Sequence, residues 1–237
     1  MKAVILAGGK GTRLRPYTTV LPKPLMPIGE RPILEILIRQ MSAKGFKDII
    51  VTTGYLAELI MTFLGDGSKF GVKIKYSKEA KPLGTAGGLG FIKDDLSGDF
   101  LMVNGDLLTT LNFADLVDYH RKNQAVATIA LKKRQIHIDF GVIELEGSTN
   151  NIKGYAEKPT MESFVSMGVY VLNTDVLKYI KTDEYLDFPN LIQILMAAGQ
   201  TVKGYVFDGY WLDIGRPDDY EKANTDIQDI HRMLGID

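Results

Sequence analysis

The sequence contains no cysteine, which excludes a disulfide framework, a thiol nucleophile and a cysteine metal site. It also has almost no net charge: 28 Lys and Arg stand against 29 Asp and Glu, for a formal charge of -1. With no overall basic field, nucleic-acid binding is not expected, and any phosphate chemistry has to use local cations. Long apolar runs are missing as well. Ala3 to Ala7 form a stretch too short for a signal peptide or a membrane helix before the glycines begin. These absences agree with a cytoplasmic address and no membrane partner. The three histidines, His120, His137 and His231, show no metal-ligand spacing and read as structural or surface residues. The single Trp211 reads as a core aromatic.

What is present is a 45% hydrophobic content, enough for a substantial core. Lys2-Ala7 reads as a buried strand that runs straight into glycines. A long polar loop follows through Pro27 and Gly29. Pro32 then opens a helix whose stripe, Ile33, Leu34, Leu37, Ile38 and Met41, stops near Gly45. Further elements alternate: strand Ile49-Thr52, helix Tyr55-Leu64, strand Val72-Tyr76, helix Ala86-Lys93, strand Phe100-Val103, helix Leu111-Lys122 and strand Ala125-Leu131. Strands then dominate, at Gly141-Glu146, Ile152-Glu157 and Val165-Leu172, before helix Phe188-Ala198, strand Val202-Phe207 and a helix from Pro217. The expected fold is α/β: a Rossmann-like, doubly wound mixed sheet flanked by helices, with a smaller antiparallel elaboration. No repeat or linker divides it, so one domain over residues 1–237 is expected.

Gly8-Gly9-Lys10-Gly11-Thr12-Arg13 follows the first strand, where backbone N–H groups can cradle phosphates. Arg13 adds a fixed fork of donors for a β/γ-phosphate. A Walker A loop is excluded because Val4 stands where its first glycine belongs, and a dinucleotide fingerprint because its third glycine falls on Leu14. A tight structural turn is the alternative. In Pro22-Lys23-Pro24 the prolines restrain the loop around one lysine, which suits a cation acting on a transferring phosphoryl group and equally describes an exposed loop.

Asp106 follows an interior strand, and Asp213 lies in the apolar run Tyr210 to Gly215. Two carboxylates with phosphate oxygens are the hard ligands that Mg²⁺ prefers, while a turn cap and a loop acid are the plain alternatives. Glu157-Lys158-Pro159 pairs an acceptor for sugar hydroxyls with a cation for a sugar phosphate, or is a solvent-facing charge pair. Pro82-Leu83-Gly84-Thr85-Ala86-Gly87-Gly88 either lets the backbone approach a nucleoside or makes a tight turn.

Together these motifs resemble the sugar-phosphate nucleotidyltransferases, also called nucleotide-sugar pyrophosphorylases. Leu6-Ala7-Gly8-Gly9-Lys10-Gly11-Thr12-Arg13-Leu14-Arg15-Pro16 carries the resemblance most specifically. Pro22-Lys23-Pro24, Asn104-Gly105-Asp106, Glu157-Lys158-Pro159 and Trp211-Leu212-Asp213-Ile214-Gly215 follow in the family's order. The mannose-1-phosphate guanylyltransferase-like branch is the most similar. The resemblance implies nucleotide contacts from Leu6, Ala7, Gly8, Gly9, Gly11, Thr12, Arg13, Gly84, Thr85, Asn104 and Gly105. It implies catalytic roles for Arg13 and Lys23, sugar-phosphate contacts from Lys23, Gly141, Glu157 and Lys158, and magnesium on Asp106 and Asp213. No C-terminal β-helix domain is expected.

The implied partners are a nucleoside triphosphate and a sugar 1-phosphate, with GTP and mannose 1-phosphate or a related sugar foremost. A homo-oligomer remains open. A glucose-1-phosphate uridylyl- or thymidylyltransferase, a glycosyltransferase and a non-catalytic nucleotide-sugar-binding subunit are the competing readings. The glutamine-containing loop of the thymidylyltransferase branch is missing around Gly84, which weighs against dTTP.

Overall fold

The computed structural model describes residues 1–234, without the side chains of residues 231 and 234. Its elements, in chain order, are β1 (Lys2–Ala7), β2 (Pro27–Ile28), β3 (Arg31–Pro32), α1 (Ile33–Ala43), β4 (Asp48–Thr53), α2 (Ala57–Leu64) and β5 (Lys73–Lys78). They continue with α3 (Gly84–Gly87), β6 (Asp99–Asn104), β7 (Leu107–Thr109), α4 (Phe113–Lys122), β8 (Ala127–His137), β9 (Val142–Leu145) and β10 (Ile152–Ala156). The last are β11 (Thr160–Asn173), α5 (Phe188–Ala197), β12 (Val202–Val206), β13 (Trp211–Asp213) and α6 (Pro217–Leu234).

A seven-stranded sheet has the order β12-β8-β11-β6-β1-β4-β5. Neighbouring pairs are parallel except where β11 runs antiparallel to β6 and β8. The interior position of β1 explains its unbroken apolar sequence, because both faces are covered. Ala3, Ile5 and Ala7 pack into one layer with Leu34, Leu37, Ile38 and Met41 of α1. Val4 joins the opposite layer with Phe100, Met102 and the α5 residues Leu191 and Leu195. This is the expected doubly wound mixed sheet.

A third cluster matters most for the site. Leu14, Met26, Ile28, Ile33 and Ile36 pack with Leu108, Leu212, Ile214, Ala223, Ile227 and Ile230. It ties the long loop after β1 to the antiparallel β7–β13 pair and to α6.

Beyond the carboxyl ends of β1 and β6, β8 and β11 continue as a two-stranded ribbon from Lys132 to His137 and Thr160 to Val165. Between them β9 and β10 form a separate antiparallel hairpin. These are the expected antiparallel additions. The ribbon strands outrun the expected Ala125-Leu131 and Val165-Leu172 because their outer halves face solvent on most positions and so carry no continuous apolar run. The expected Ala86-Lys93 helix is broken. After α3 the chain tightens into 3-10 turns at Gly88–Phe91 and Lys93–Asp95, since four glycines between Gly84 and Gly90 remove helix propensity.

Candidate active site

At the end of β1 the chain leaves the sheet between β4 and β6, and glycine permits close backbone approach. A Cβ on Gly54 would stand 3.0 Å from the Gly8 carbonyl oxygen, and the Gly105 N–H donates to the Leu6 carbonyl at 2.9 Å. Gly11 has a φ of 59°, and a Cβ there would lie 2.9 Å from Thr18 Cγ2. The Thr18 hydroxyl donates to the Gly11 carbonyl at 2.8 Å. Around Gly9, by contrast, no atom lies within 4 Å of a Cβ position. Leu6, Ala7, Gly9, Gly11, Thr12 and Arg13 line one wall of a cavity of about 240 Å³, and Lys23, Pro24 and Asp106 line the other.

Lys23 sits in a 3-10 turn, Lys23–Leu25, entered from extended Pro22. The turn is closed by the Met26 N–H donating to the Lys23 carbonyl at 3.0 Å. The residue is only 6% exposed. Its ammonium lies 2.5 Å from Asp106 Oδ2 and 4.0 Å from Asp213 Oδ1. The β7–β13 pair explains how acids so far apart in sequence meet: Asp213 faces Leu107 in register, and the Ile214 N–H donates to the Asp106 carbonyl at 3.1 Å. Burial, then the neighbouring Asp106 charge, pushes the Asp213 carboxyl above its ordinary range, while Lys23 and Arg13 pull it back. The Arg13 guanidinium lies over Gly215, where a Cβ would stand 3.3 Å from Nη1.

Two hard carboxylates converging on one cation fit a divalent metal in their donor chemistry. Among the described residues no group of three or more metal-ligating side chains occurs. Substrate oxygens and water would have to complete any coordination shell.

The cleft continues from Gly9 into a cavity of about 290 Å³ that Gly84, Thr85, Asn104 and Asp106 help to line. Gly84 has a φ of 77°, and a Cβ there would stand 2.6 Å from the Leu186 carbonyl oxygen, so this glycine is required by the turn itself. The Thr85 hydroxyl accepts from the Phe188 N–H at 2.7 Å and fastens the start of α5. Asn104 packs under Gly168, which has a φ of 73°. Gly105 does not line these cavities. Glu79 does, although its position after a strand drew no attention in the sequence; an acid just beyond a strand's carboxyl end was the available signal.

Gly141, Glu157 and Lys158 line neither of these cavities and are exposed, in and around the β9–β10 hairpin. A Cβ on Gly141 would strike the Tyr155 ring, and the Tyr155 hydroxyl donates to Glu157 Oε2 at 2.6 Å. Tyr155 thus joins Gly141 and Glu157. Lys158 takes a left-handed φ of 43° in the turn before β11. Of the histidines, His120 is buried and bonded through Nδ1 to the Thr128 hydroxyl at 2.8 Å. His137 pairs with Thr160, and the His231 side chain lies outside the described residues. The Trp211 indole N–H donates to the Met167 carbonyl at 2.9 Å, as a structural anchor.

The fold and cleft define an α/β domain that sets a glycine loop and an arginine against a lysine held between two carboxylates. The chain belongs to the nucleotidyl transferase family, whose model matches residues 2–230. It is 37% identical over 230 residues to a mannose-1-phosphate guanyltransferase of Yarrowia lipolytica, covering 93% of this chain and 62% of that protein. It is 35% identical over 242 residues to a UTP–glucose-1-phosphate uridylyltransferase of Synechocystis, covering 94% of this chain and 62% of the relative. The chain thus spans less than two thirds of these relatives. Among solved structures, a putative glucose-1-phosphate thymidylyltransferase from Bacillus anthracis aligns with a TM-score of 0.77 at 26% identity, covering 95% of this chain and 94% of that one. HddC from Yersinia pseudotuberculosis aligns with a TM-score of 0.75 at 25% identity, covering 95% and 99%.

Proposed function

We propose that this chain joins a nucleoside triphosphate to a sugar 1-phosphate, releasing pyrophosphate and forming a nucleotide sugar. The substrates in this reading are GTP and mannose 1-phosphate or a related sugar. The observation that carries it is Lys23, buried between Asp106 and Asp213 and facing a glycine loop and Arg13 across one cavity. The Yarrowia relative supports the substrate choice.

In the proposed reaction an oxygen of the sugar phosphate attacks the α-phosphorus. A new P–O bond forms, and the bond to the β-phosphate bridging oxygen breaks, so that pyrophosphate carries away the electron pair. The nucleophile is already anionic near neutral pH and needs no general base. Catalysis then consists of alignment and charge stabilisation. The backbone at Gly8, Gly9 and Gly11 receives the triphosphate, Arg13 holds the departing pyrophosphate, and Lys23 offsets charge on the α-phosphoryl oxygens. Mg²⁺, held by Asp106 and Asp213, would polarise the α-phosphate when bound. Gly141, Glu157 and Lys158 offer the sugar phosphate its contacts from the hairpin side.

A matrix of nucleoside triphosphates and sugar 1-phosphates, followed by pyrophosphate release with and without Mg²⁺, tests this reading. Release that needs both substrates and the metal supports it. Absence of release with every combination overturns it.

A further inference from the structure

The two carboxylates that the proposed reaction gives to a divalent ion already hold a cation of the chain's own. Lys23 Nζ lies 2.5 Å from Asp106 Oδ2 and 4.0 Å from Asp213 Oδ1. Among the described residues no other side chain forms a hydrogen bond or ion pair with either carboxylate. The lysine reaches them from the buried side: its side chain is 8% exposed, against 28% for Asp106 and 48% for Asp213. An ion arriving from solvent meets Asp213 first and finds the ammonium behind it.

The anchor of Lys23 is rigid and its reach is not. The Leu25 N–H donates to the Pro22 carbonyl at 2.8 Å and the Met26 N–H to the Lys23 carbonyl at 3.0 Å, so the backbone is set in its turn. Beyond it a flexible four-carbon stem carries the ammonium, a point charge that can exchange one anionic partner for another without moving the turn. The second partner has its place in the same cavity, whose walls hold Lys23 and Asp106 together with Gly9, Gly11 and Arg13. Asp106 and Asp213 carry two negative charges and Lys23 one positive charge. A divalent ion added while the ammonium stays would set three positive charges against two negative ones within a few ångströms, where like charges repel strongly. The ion and the ammonium therefore exclude each other until a further anion arrives.

We infer that Lys23 closes the metal site of the free enzyme, competing with the divalent ion for Asp106 and Asp213, and that a triphosphate opens the site by drawing the ammonium onto its own oxygens. Lys23 thus has a role before any chemistry: it keeps two neighbouring carboxylates paired and free ions out. Exchange of partners also explains why a lysine suits this position. The planar fork of an arginine would grip a carboxylate through two bonds and give it up less readily. The inference rests on the proposed nucleotidyl transfer, from which it takes the assignment of the metal to Asp106 and Asp213.

The test titrates Mn²⁺ alone, with no nucleotide, into the wild type, Lys23→Met and Lys23→Arg, and reads the free ion by electron paramagnetic resonance. Lys23→Met should bind Mn²⁺ about tenfold or more tightly than the wild type, as expected if the lysine leaves the carboxylates in about a tenth of free molecules or fewer. Lys23→Arg keeps the charge and should bind no tighter than the wild type. Adding Asp213→Asn to Lys23→Met should abolish the gain. A measurement on the wild type decides the matter even where a variant does not fold: acetylation of Lys23 by acetic anhydride, followed by peptide mass, should rise severalfold when Mn²⁺ saturates the protein. A folded Lys23→Met with wild-type Mn²⁺ affinity, a gain that survives Asp213→Asn, or labelling that ignores bound Mn²⁺ overturns the competition and leaves the transfer reaction standing. Absence of pyrophosphate release with every substrate pair overturns the reaction instead, and the Mn²⁺ affinities and the labelling then still decide the role of Lys23.

Discussion

The Cβ of Lys23 stands 3.0 Å from the point where a side chain on Gly11 would begin. Conformation and space thus coincide at one glycine: its φ of 59° belongs to the left-handed region, and its missing side chain is what lets the lysine turn pack beneath the glycine loop. The position of the cation is set by the loop it faces.

Substitution at two glycines separates packing from ligand approach. Gly11→Ala should lower stability by about 1–3 kcal/mol and reduce kcat by shifting Lys23. Gly9→Ala, with open space at its Cβ position, should melt like the wild type and instead lose nucleotide affinity. Thermal melts and nucleotide titrations on both variants check this. Equal melting shifts for the two would contradict it.

Asp213 should matter to metal use more than to folding. Its carboxylate shares Lys23 with Asp106, and removing one of two like charges leaves the other paired. Asp213→Asn is therefore expected to fold normally and to lose at least about tenfold in Mg²⁺-dependent turnover. Thermal stabilisation by Mg²⁺ with a nucleoside triphosphate should shrink as well. A variant that retains both the turnover and the stabilisation would contradict the proposed metal role of Asp213.

The small core under the site gives a remote test. Ile227 on α6 is 8% exposed and packs in the cluster that holds Leu212 and Ile214 on either side of Asp213. Ile227→Ala should cost about 2–5 kcal/mol and lower activity without touching substrate. Denaturant unfolding together with steady-state rates measures both effects, and an unchanged midpoint would show that α6 does not brace the site.

His120 predicts an acid limb in stability. It is 1% exposed, and burial depresses its pKa from the ordinary 6.5, with Asp99 pulling the other way. A depressed folded value means that the stabilisation is fully present above about 6.5 and is lost as pH falls through the lower folded value. Melting temperature should therefore decline below that pH, and His120→Gln should flatten the decline. An identical pH profile in the variant would exclude His120 as its source.

Local sequence carried the inner framework because the strands at its centre, such as Lys2–Ala7, are buried on both faces and therefore apolar throughout. The outer halves of β8 and β11 escaped notice since most of their positions, from Lys133 to His137 and from Thr160 to Phe164, are exposed and show no buried face. The glycine loop from Gly8 to Arg13 was legible, because glycine spacing reflects backbone demands within one turn. The meeting of Asp106 with Asp213 was not, because it depends on a three-residue pairing, Leu107–Thr109 with Trp211–Asp213, too short to leave a periodic pattern. Glu79 was hidden for a related reason: its surroundings come from Gly8, Gly88 and Leu83, and only folding brings them together.

Turnover of Lys23→Ala at saturating GTP, mannose 1-phosphate and Mg²⁺ tests most directly whether the cation held by Asp106 stabilises the transferring phosphoryl group. The account predicts a loss of about 100-fold or more in kcat with little change in the KM for nucleotide and a folded protein by circular dichroism. A kcat near that of the wild type would contradict it.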